Sequence, residues 1–413
     1  MSRRRTVITG LGWVTSLGYD VQTVWADLLA GRSGIVPIQR FDTSDYTVTF
    51  GGEVSDWEKD PPHLEKRDLK RYDRFTQFAM AASLDAVSDS GIDFGKEDPA
   101  RCGVIIGSGI GGIAEFEKGC EQLLTKGPRR VSPFVVPKMM ANAASANVSM
   151  HLGLQGPNLC GVTACASAGH SISDAINVIE ADQADVVITG GSEAALTPLG
   201  LASFMTLKAL STRNDEPQKA SRPFDRDRDG FVLSEGAGVM VVEEYEHAAK
   251  RGATIYAELV GYGMSADAGH ITHPDENGRG AQQSMRMAIE MAGVDPAKIG
   301  YVNAHGTSTP AGDAAENRAV KTVFSGATDQ LAVSSTKSMT GHLLGASGGI
   351  ETIITALAVQ TGNLPPTINL DHPDEEFDLN YVPHEAQQHD LKYAMTNSFG
   401  FGGHNSTLLL AKV

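Results

Sequence analysis

Short apolar runs that end in glycine recur along the whole chain and constrain its fold more than any other feature of the sequence. Six such runs are TVITGLG at 6–12, CGVIIGSG at 102–109, ADVVITGG at 184–191, IYAELVGYG at 255–263, GYVNAHG at 300–306 and YAMTNSFGFGG at 393–403. They predict buried β-strands that enter tight turns, and segments with helical spacing lie between them. This alternation is typical of an α/β fold.

The order of these parts is repeated within the chain. A glycine-ended strand at 102–109, a helix start at 165 and another glycine-ended strand at 184–191 have counterparts at 299–306, 342 and 393–403. The 413 residues also exceed one ordinary core, since domains usually hold about 150 residues. We therefore predict two similar α/β halves, 1–253 and 254–413, which pack tightly because no low-complexity linker separates them.

Composition excludes several classes of function. A formal net charge of −16 disfavours nonspecific binding to nucleic acid or to an anionic membrane. The apolar runs are shorter than the roughly 20 residues of a membrane-spanning helix. Four cysteines are too few for a disulfide framework in so long a chain, so we expect a cytoplasmic location. The N-terminal SRRRTVITGLGWVTSLG predicts a first β-strand rather than a signal peptide, because glycine and threonine interrupt its apolar stretch.

Cys165 is the first candidate for chemistry. The apolar residues that follow it at helical spacing are Ala168, Ile172, Ala175, Ile176 and Ile179. The cysteine therefore lies at or near a helix N-terminus, where free N–H groups and the helix dipole favour a thiolate. Its small neighbours leave room for a substrate beside the sulfur, although a small buried structural cysteine would fit the same pattern.

Two histidines are candidate partners for this cysteine. His305 follows the strand-like GYVN, and His342 precedes a helix with an apolar face. Either histidine alone could be structural. A cysteine and two histidines, each at a turn between a strand-like run and the next element, together predict a site.

Two other motifs are set aside. Gly107, Gly109 and Gly112 match the dinucleotide pattern GxGxxG, but no strand ending in an acidic residue follows about 20 residues later to bind a ribose. His270 and His273 have a spacing that could suit a metal ion, but no cysteine or carboxylate cluster completes a ligand set.

Four motifs in fixed order carry a resemblance to a known family. TACAS at 163–167, NAHGTSTPAGD at 303–313, SSTKSMTGHLLGA at 334–346 and NSFGFGGHN at 397–405 closely resemble the β-ketoacyl-acyl-carrier-protein synthases of fatty-acid synthesis. The similarity runs from end to end and is greatest to the synthase II branch. It implies a thiolase fold, in which two similar α/β halves form a five-layered αβαβα sandwich, usually as a homodimer.

The resemblance also implies an acyltransferase that elongates an acyl chain by two carbons without a cofactor. Cys165 is then the nucleophile that takes the chain from an acyl carrier protein. His305 and His342, as neutral imidazoles, donate hydrogen bonds to the malonyl thioester oxygen as CO₂ is lost. The backbone N–H groups of Cys165 and Phe401 form the oxyanion hole, and Phe401 is a gating residue between glycines.

Further residues acquire roles only through the resemblance. Lys337 pairs with Glu351 beside the histidines, and Asn303, Glu351 and Ser398 could frame a structural cation. Pantetheine is bound by the hydroxyl groups of Thr307, Thr309 and Thr272. Ile110 lines a pocket for a medium to long acyl chain, and Phe134 reaches across the dimer. The acidic carrier docks on basic residues that are Lys66, Arg67, Lys70, Arg71, Arg129, Arg130 and Lys208.

Related enzyme classes are distinguished by the same motifs. A thiolase acting on coenzyme A would use a second cysteine late in the chain, and none follows Cys165. Three-carbon-initiating and plant polyketide synthases use Cys-His-Asn, whereas His342 is the second partner here. A chain-length-factor-like subunit would lack the nucleophile, but a polyketide pathway with the same triad stays open. His404 stands where many relatives have threonine, which leaves the behaviour of the gate open.

Overall fold

Fourteen β-strands and thirteen α-helices make up residues 3–413, the part of the chain that the computed structural model describes. The strands are β1 Thr6–Val14, β2 Val36–Pro37, β3 Phe50–Gly51, β4 Cys102–Gly107, β5 Asn158–Leu159, β6 Val186–Glu193, β7 Gly236–Glu244, β8 Ala257–Ala266, β9 Ile299–Asn303, β10 Ala332–Ser334, β11 Asn363–Leu364, β12 Gln387–Gln388, β13 Tyr393–Gly400 and β14 His404–Ala411. The helices are α1 Val21–Leu29, α2 Lys66–Arg71, α3 Arg74–Ser90, α4 Ile113–Lys126, α5 Val135–Met139, α6 Ala143–Leu152, α7 Ser167–Glu180, α8 Pro198–Thr206, α9 Tyr245–Lys250, α10 Arg279–Ala292, α11 Pro310–Val323, α12 Lys337–Thr340 and α13 Ser347–Thr361. Single turns of 3₁₀ helix, among them Pro128–Arg130 and Leu344–Ala346, connect them.

Ten strands form one sheet with an internal repeat. Their order is β10-β9-β13-β14-β8-β1-β7-β6-β4-β5, so each half contributes five neighbouring strands. The order in the N-terminal half is β1, β7, β6, β4, β5, and in the C-terminal half it is β8, β14, β13, β9, β10. Strands at the same place in these two series hold the same rank along the chain within their half. The last strand of each half is antiparallel to both of its neighbours, and the other pairs are parallel. The two similar halves that the glycine-ended runs predict are therefore present in the topology.

The two sets of strands join and then enclose a central helical layer. β1 and β8 pair in antiparallel register, with Thr6 opposite Leu259. Helices α7 and α13 pack on each other between the two sets, and α13 is buried on every side from Ser347 to Val359. A helix buried all round belongs to the interior of a large protein. With α3 and α6 outside one set and α10 and α11 outside the other, the layers are αβαβα.

Some glycines have a different role from the predicted one. Gly10 and Gly12 lie inside β1, which continues to Val14, and do not mark its end. A Cβ atom on either glycine would overlap a carbonyl oxygen of α3. Gly261 and Gly263 lie inside β8, and a Cβ atom on either would overlap a carbonyl oxygen of α10. The prediction of strands was right at these runs, but here glycine is required for close helix packing rather than for a turn.

The N-terminal segment forms the strand that its sequence predicts. β1 is buried along its whole length, between β7 and β8. None of the helices in residues 3–413 combines the length and the apolar character needed to cross a lipid bilayer.

Candidate active site

One cavity brings Cys165, His305 and His342 together. Its volume is about 510 Å³, and all three side chains line it. The lining residues follow the carboxyl ends of β4 and β9 and the end of β13, which is where ligands bind in open α/β sheets. The structure thus joins one residue of the N-terminal half to two of the C-terminal half.

A strained turn presents Cys165 to the cavity. The preceding residue, Ala164, has a positive φ of 50°, and α7 begins two residues after the cysteine. The N–H of Ala166 donates to the carbonyl of Thr163 at 3.1 Å, and that of Ser167 donates to the carbonyl of Ala164 at 3.2 Å. These bonds close the turn, and they occupy N–H groups that a free helix N-terminus would offer to an anion.

The imidazole of His342 contacts the cysteine directly. Its Nε2 lies 3.0 Å from Cys165 Sγ, and its Nδ1 lies 3.0 Å from Ser347 Oγ. When the Ser347 hydroxyl donates to Nδ1, Nε2 carries the proton and donates to the sulfur. The backbone of His342 is held by bonds to Val232 and Ser234, and Phe231 packs edge-on against its ring.

His305 faces His342 across the same space. Their ring centroids are 5.3 Å apart, and His305 Nδ1 is buried with no hydrogen-bond partner in the described part of the chain. The N–H groups of His305 and Gly306 donate to the carboxylate of Glu316 at 2.8 and 2.7 Å. The backbone is thereby fixed, and the residue lines the cavity.

Burial shifts the pKa values of all three groups. It lowers the pKa of His305 and of His342 well below the ordinary value, and the nearby Lys337 cation lowers both further. Burial also raises the pKa of Cys165 to about 12, although Lys337 and the N–H of Phe401 act in the opposite direction. Desolvation therefore favours a thiol beside two neutral imidazoles, and it opposes the thiolate that the helix terminus and Lys337 favour.

Lys337 forms a buried ion pair with Glu351 behind the histidines. The lysine is 1% exposed, and its Nζ bonds to Glu351 Oε1. Within residues 3–413, Glu351 Oε2 and Asn303 Oδ1 are buried without a hydrogen-bond partner, and Ser398 is buried on β13. Two unsatisfied oxygen atoms of this kind suit a hard cation, which prefers oxygen ligands.

Comparison with known proteins identifies the family. Residues 3–248 match the family described as Beta-ketoacyl synthase, N-terminal domain, and residues 256–371 match Beta-ketoacyl synthase, C-terminal domain. The chain belongs to the β-ketoacyl synthase family. It is 52% identical to a 3-oxoacyl-[acyl-carrier-protein] synthase 2 of Vibrio cholerae over 100% of both chains, and 51% identical to one of Vibrio harveyi, again over 100% of both. A solved structure of a type II PKS acyl-carrier protein in complex with its ketosynthase matches with a TM-score of 0.93, at 32% identity over 100% of both chains.

These matches confirm the predicted family, the thiolase fold and a condensing enzyme. The candidate gate of this synthase is the turn between β13 and β14. Gly402 and Gly403 there have φ angles of 87° and 73°, which favour glycine. Gly402 N–H donates to the carbonyl of Ile271 at 2.7 Å, so the gate is bonded to the loop that carries Thr272.

The predicted substrate contacts separate into two groups. Thr272, Thr307 and Thr309 line the cavity, and the hydroxyls of the last two lie 3.0 Å apart. Ile110 also lines the cavity and is 40% exposed. Phe134 lies outside the cavity and is 62% exposed, so within one copy of the synthase it is not part of the site.

The predicted docking residues are all exposed but do not all reach the cavity. Lys208 lines the cavity, whereas the basic residues of α2 and of the Pro128–Arg130 turn do not. His270 and His273 stack edge to face on an exposed loop, with ring centroids 4.7 Å apart. His404 begins β14 and stands edge-on to His170 at 6.4 Å, beside the gate.

Sequence reasoning missed Glu193, which is completely buried next to the site. Its carboxylate accepts hydrogen bonds from the N–H groups of Gly109 at 2.7 Å and Ile110 at 3.2 Å. The glycine-rich loop that matches GxGxxG therefore binds a carboxylate of its own chain. The available signal was position, because Glu193 ends the glycine-containing buried strand that the sequence predicts at 184–191.

Proposed function

We propose that this protein is a β-ketoacyl-[acyl-carrier-protein] synthase II. It condenses malonyl-acyl carrier protein with an acyl chain held on Cys165, loses CO₂ and lengthens the chain by two carbons. The observation that carries the proposal is the 3.0 Å contact between His342 Nε2 and Cys165 Sγ, with His305 facing the same cavity.

The first half-reaction loads the enzyme. Cys165 sulfur attacks the thioester carbonyl of the acyl carrier, the bond to the pantetheine sulfur breaks, and that sulfur leaves with the thiol proton. The Nε2–H of His342 stabilises the sulfur while it carries negative charge. A thioester replaces a thioester, so the acyl group stays activated.

The second half-reaction forms the new carbon–carbon bond. As CO₂ leaves the malonyl group, negative charge develops on its thioester oxygen, to which His305 and His342 donate. The enolate carbon then attacks the acyl carbonyl on Cys165, whose oxygen is bound by the N–H groups of Cys165 and Phe401. The tetrahedral intermediate collapses, its bond to Cys165 sulfur breaks, and the thiolate that leaves takes up one proton from solvent. Loss of one such donor usually lowers the rate by about 10² to 10³.

Substrate delivery uses the residues around the cavity. Thr307, Thr309 and Thr272 bind the pantetheine amides, and Phe401 moves to admit each substrate. Ile110, a branched aliphatic side chain, leaves space for a medium to long chain. The acidic carrier docks on exposed basic residues of α2, on Arg129 and Arg130, and at Lys208 beside the cavity.

We also propose that the protein is a homodimer. An apolar surface runs over α4, α5, α6 and β5, and its exposed members are Leu123, Leu124, Phe134, Val136, Met140, Met150, Leu159 and Val162. β5 is the exposed end of the ten-stranded sheet, whereas β10 at the other end is buried and bonds to Asn380. An exposed apolar patch and a free strand edge favour pairing with a second copy, which would bring Phe134 to the partner's cavity.

Three finer assignments accompany this function. The N-terminal half, 1–253, carries the nucleophile, and 254–413 carries both histidines. A structural cation near Asn303, Glu351 and Ser398 is supported by the two unsatisfied oxygen atoms. A cytoplasmic location is supported by the cysteines, which are all free and must stay reduced for Cys165 to act.

Intact-mass measurement tests the function. The protein is mixed with acyl carrier protein loaded with acyl chains of several lengths, and we expect one acyl adduct that maps to Cys165. The adduct should disappear in Cys165→Ala and persist in the control Cys102→Ala, whose thiol is buried in β4. Adding malonyl carrier should release a product longer by two carbons. An adduct at another residue, or none with any chain, would overturn the proposal.

A further inference from the structure

The carboxylate of Glu193 connects three separate segments of the active site. Besides Gly109 and Ile110, it accepts hydrogen bonds from Ser108 Oγ at 3.0 Å and from the N–H of Gly345 at 3.1 Å. Ser108 to Gly112, which we call the Ile110 loop, join β4 to α4, and Gly345 follows His342 by three residues. Glu193 itself ends β6, so one side chain fixes the acyl-pocket wall relative to the histidine segment.

The backbones around this carboxylate are in close contact. A Cβ atom on Gly345 would overlap the N atom of Gly109 and lie 2.7 Å from Glu193 Oε2. A Cβ atom on Gly109 would lie 2.8 Å from the same oxygen and 3.2 Å from the carbonyl oxygen of Ala164, next to the nucleophile. The Ile110 loop and the segment after His342 thus meet at Glu193, and the nucleophile turn packs against Gly109 of the same loop.

Burying a carboxylate at this point is costly, and only hydrogen-bond donors oppose the cost. Burial raises the pKa of Glu193 to about 7, while Gly109, Ser108, Gly345 and Ile110 favour its ionised form. A carboxylate so placed offers two oxygens to four donors, which no neutral side chain can do.

We propose that Glu193 is a positioning residue that holds the Ile110 loop against the histidine segment and thereby sets which acyl chain lengths Cys165 accepts. The inference rests on the proposed function, because it concerns the acyl-loading step. Ile110 lines the cavity, and its own N–H is one of the groups that Glu193 binds. Side-chain position at 110 therefore depends on a carboxylate that does not line the cavity.

Glu193→Gln tests this with little change in shape. In the glutamine variant the amide oxygen takes the Oε2 position, because an amide nitrogen there would face two donors, the N–H groups of Gly109 and Gly345. The amide nitrogen then takes the Oε1 position. There it can donate to the hydroxyl of Ser108, but it cannot accept from the N–H of Ile110, which loses its partner. The variant therefore releases Ile110 and leaves the other backbone contacts in place.

The experiment measures acylation rates of Cys165 by intact mass, with carrier protein loaded with short, medium and long saturated chains. We expect Glu193→Gln to lower the ratio of the fastest to the slowest chain about tenfold, the usual effect of losing a hydrogen bond to a charged group. The matched control is Glu243→Gln, since Glu243 is equally buried but bonds to Arg251 and His247 away from the cavity. It should keep the wild-type ratio.

Two further variants keep the test decisive. In an Ile110→Ala background Glu193→Gln should no longer change the ratio, because the side chain it positions is gone. If Glu193→Gln does not fold, Ser108→Ala weakens the same loop and should shift the ratio in the same direction. Equal slowing of all chains by Glu193→Gln and Glu243→Gln would overturn the inference. Failure of the wild type to form any adduct would instead overturn the proposed function.

Discussion

At the scale of single residues, Lys337 acts on all three members of the candidate site. Its cation lowers the pKa of Cys165, His305 and His342, and its own charge is balanced by Glu351. The lysine therefore favours a sulfur anion and neutral imidazoles at the same time. Both are what the loading and condensation steps require.

Removal of the Lys337–Glu351 ion pair should distinguish its effect on the free energy of unfolding from its effect on the pKa values of the two histidines. Lys337→Met alone leaves a buried carboxylate unpaired and should cost about 3 to 5 kcal/mol of unfolding free energy, whereas Lys337→Met with Glu351→Gln should cost much less. In the double variant the pKa of both histidines should rise, because protonation no longer meets a nearby cation. It should stay below the ordinary value, since burial is the larger cause. Denaturant unfolding and nuclear magnetic resonance titration of isotope-labelled histidine measure the two effects.

The control for this prediction is Arg251→Met with Glu243→Gln, which removes another largely buried ion pair that does not line the cavity. It should leave both histidine titrations unchanged. If Lys337→Met with Glu351→Gln leaves them unchanged as well, the electrostatic role of Lys337 is wrong.

At the scale of elements, the gate turn is bonded to the loop beside it. Gly402 donates to Ile271, and Gly403 accepts from the N–H of Asp267 at 3.0 Å. Phe401 of this turn and Cys165 line the same cavity, and the N–H of Phe401 acts to lower the pKa of the cysteine. If Phe401 is the gate that we propose, its movement would disturb the loop that carries Thr272, so we expect pantetheine binding and gate movement to be coupled.

Helix α2 should contribute to carrier docking but not to chemistry. Lys66→Glu with Lys70→Glu should raise KM for acyl carrier protein about tenfold, because an acidic partner meets reversed charges. Transfer from a small neutral thioester should not change, and raising salt should slow carrier transfer more than thioester transfer. Arg286→Glu, exposed on α10 of the opposite outer layer, is the control. Equal salt sensitivity of the two donors would count against docking at α2.

At the scale of the whole molecule, the internal repeat explains how the site is assembled. α7 and α13 occupy equivalent places in the two halves and pack on each other in the central layer. Cys165 precedes α7, and His342 precedes α13. Equivalent positions in the two halves therefore meet at one cavity, although they are 177 residues apart in the chain.

The homodimer is tested on the apolar surface over α4 to β5. Leu124→Glu with Leu159→Glu should convert a dimer into a monomer, because two charges would be buried at the interface. Light scattering measures the mass in solution. Met287→Glu, on the exposed side of α10, should leave the dimer intact. A wild-type monomer, or variants that stay dimeric, would contradict the proposed interface.

Much of the fold could be predicted from the sequence because its signals are local. Buried strands, the helix after Cys165 and the repeated order of parts follow from the spacing of apolar residues and glycines, which depends only on neighbouring positions. The same local pattern could not show that Gly10 and Gly12 lie within a strand. Their need for glycine comes from α3, whose contact with β1 exists only in the folded chain.

What the sequence by itself determined is therefore the set of elements, their repetition and the residues able to do the chemistry. Only the tertiary structure decided that His342 contacts Cys165, that Glu193 accepts hydrogen bonds from the Ile110 loop, and that burial raises the pKa of the cysteine. These outcomes depend on distance and on exclusion of water between segments far apart in the chain. Neither quantity exists before the two halves pack together.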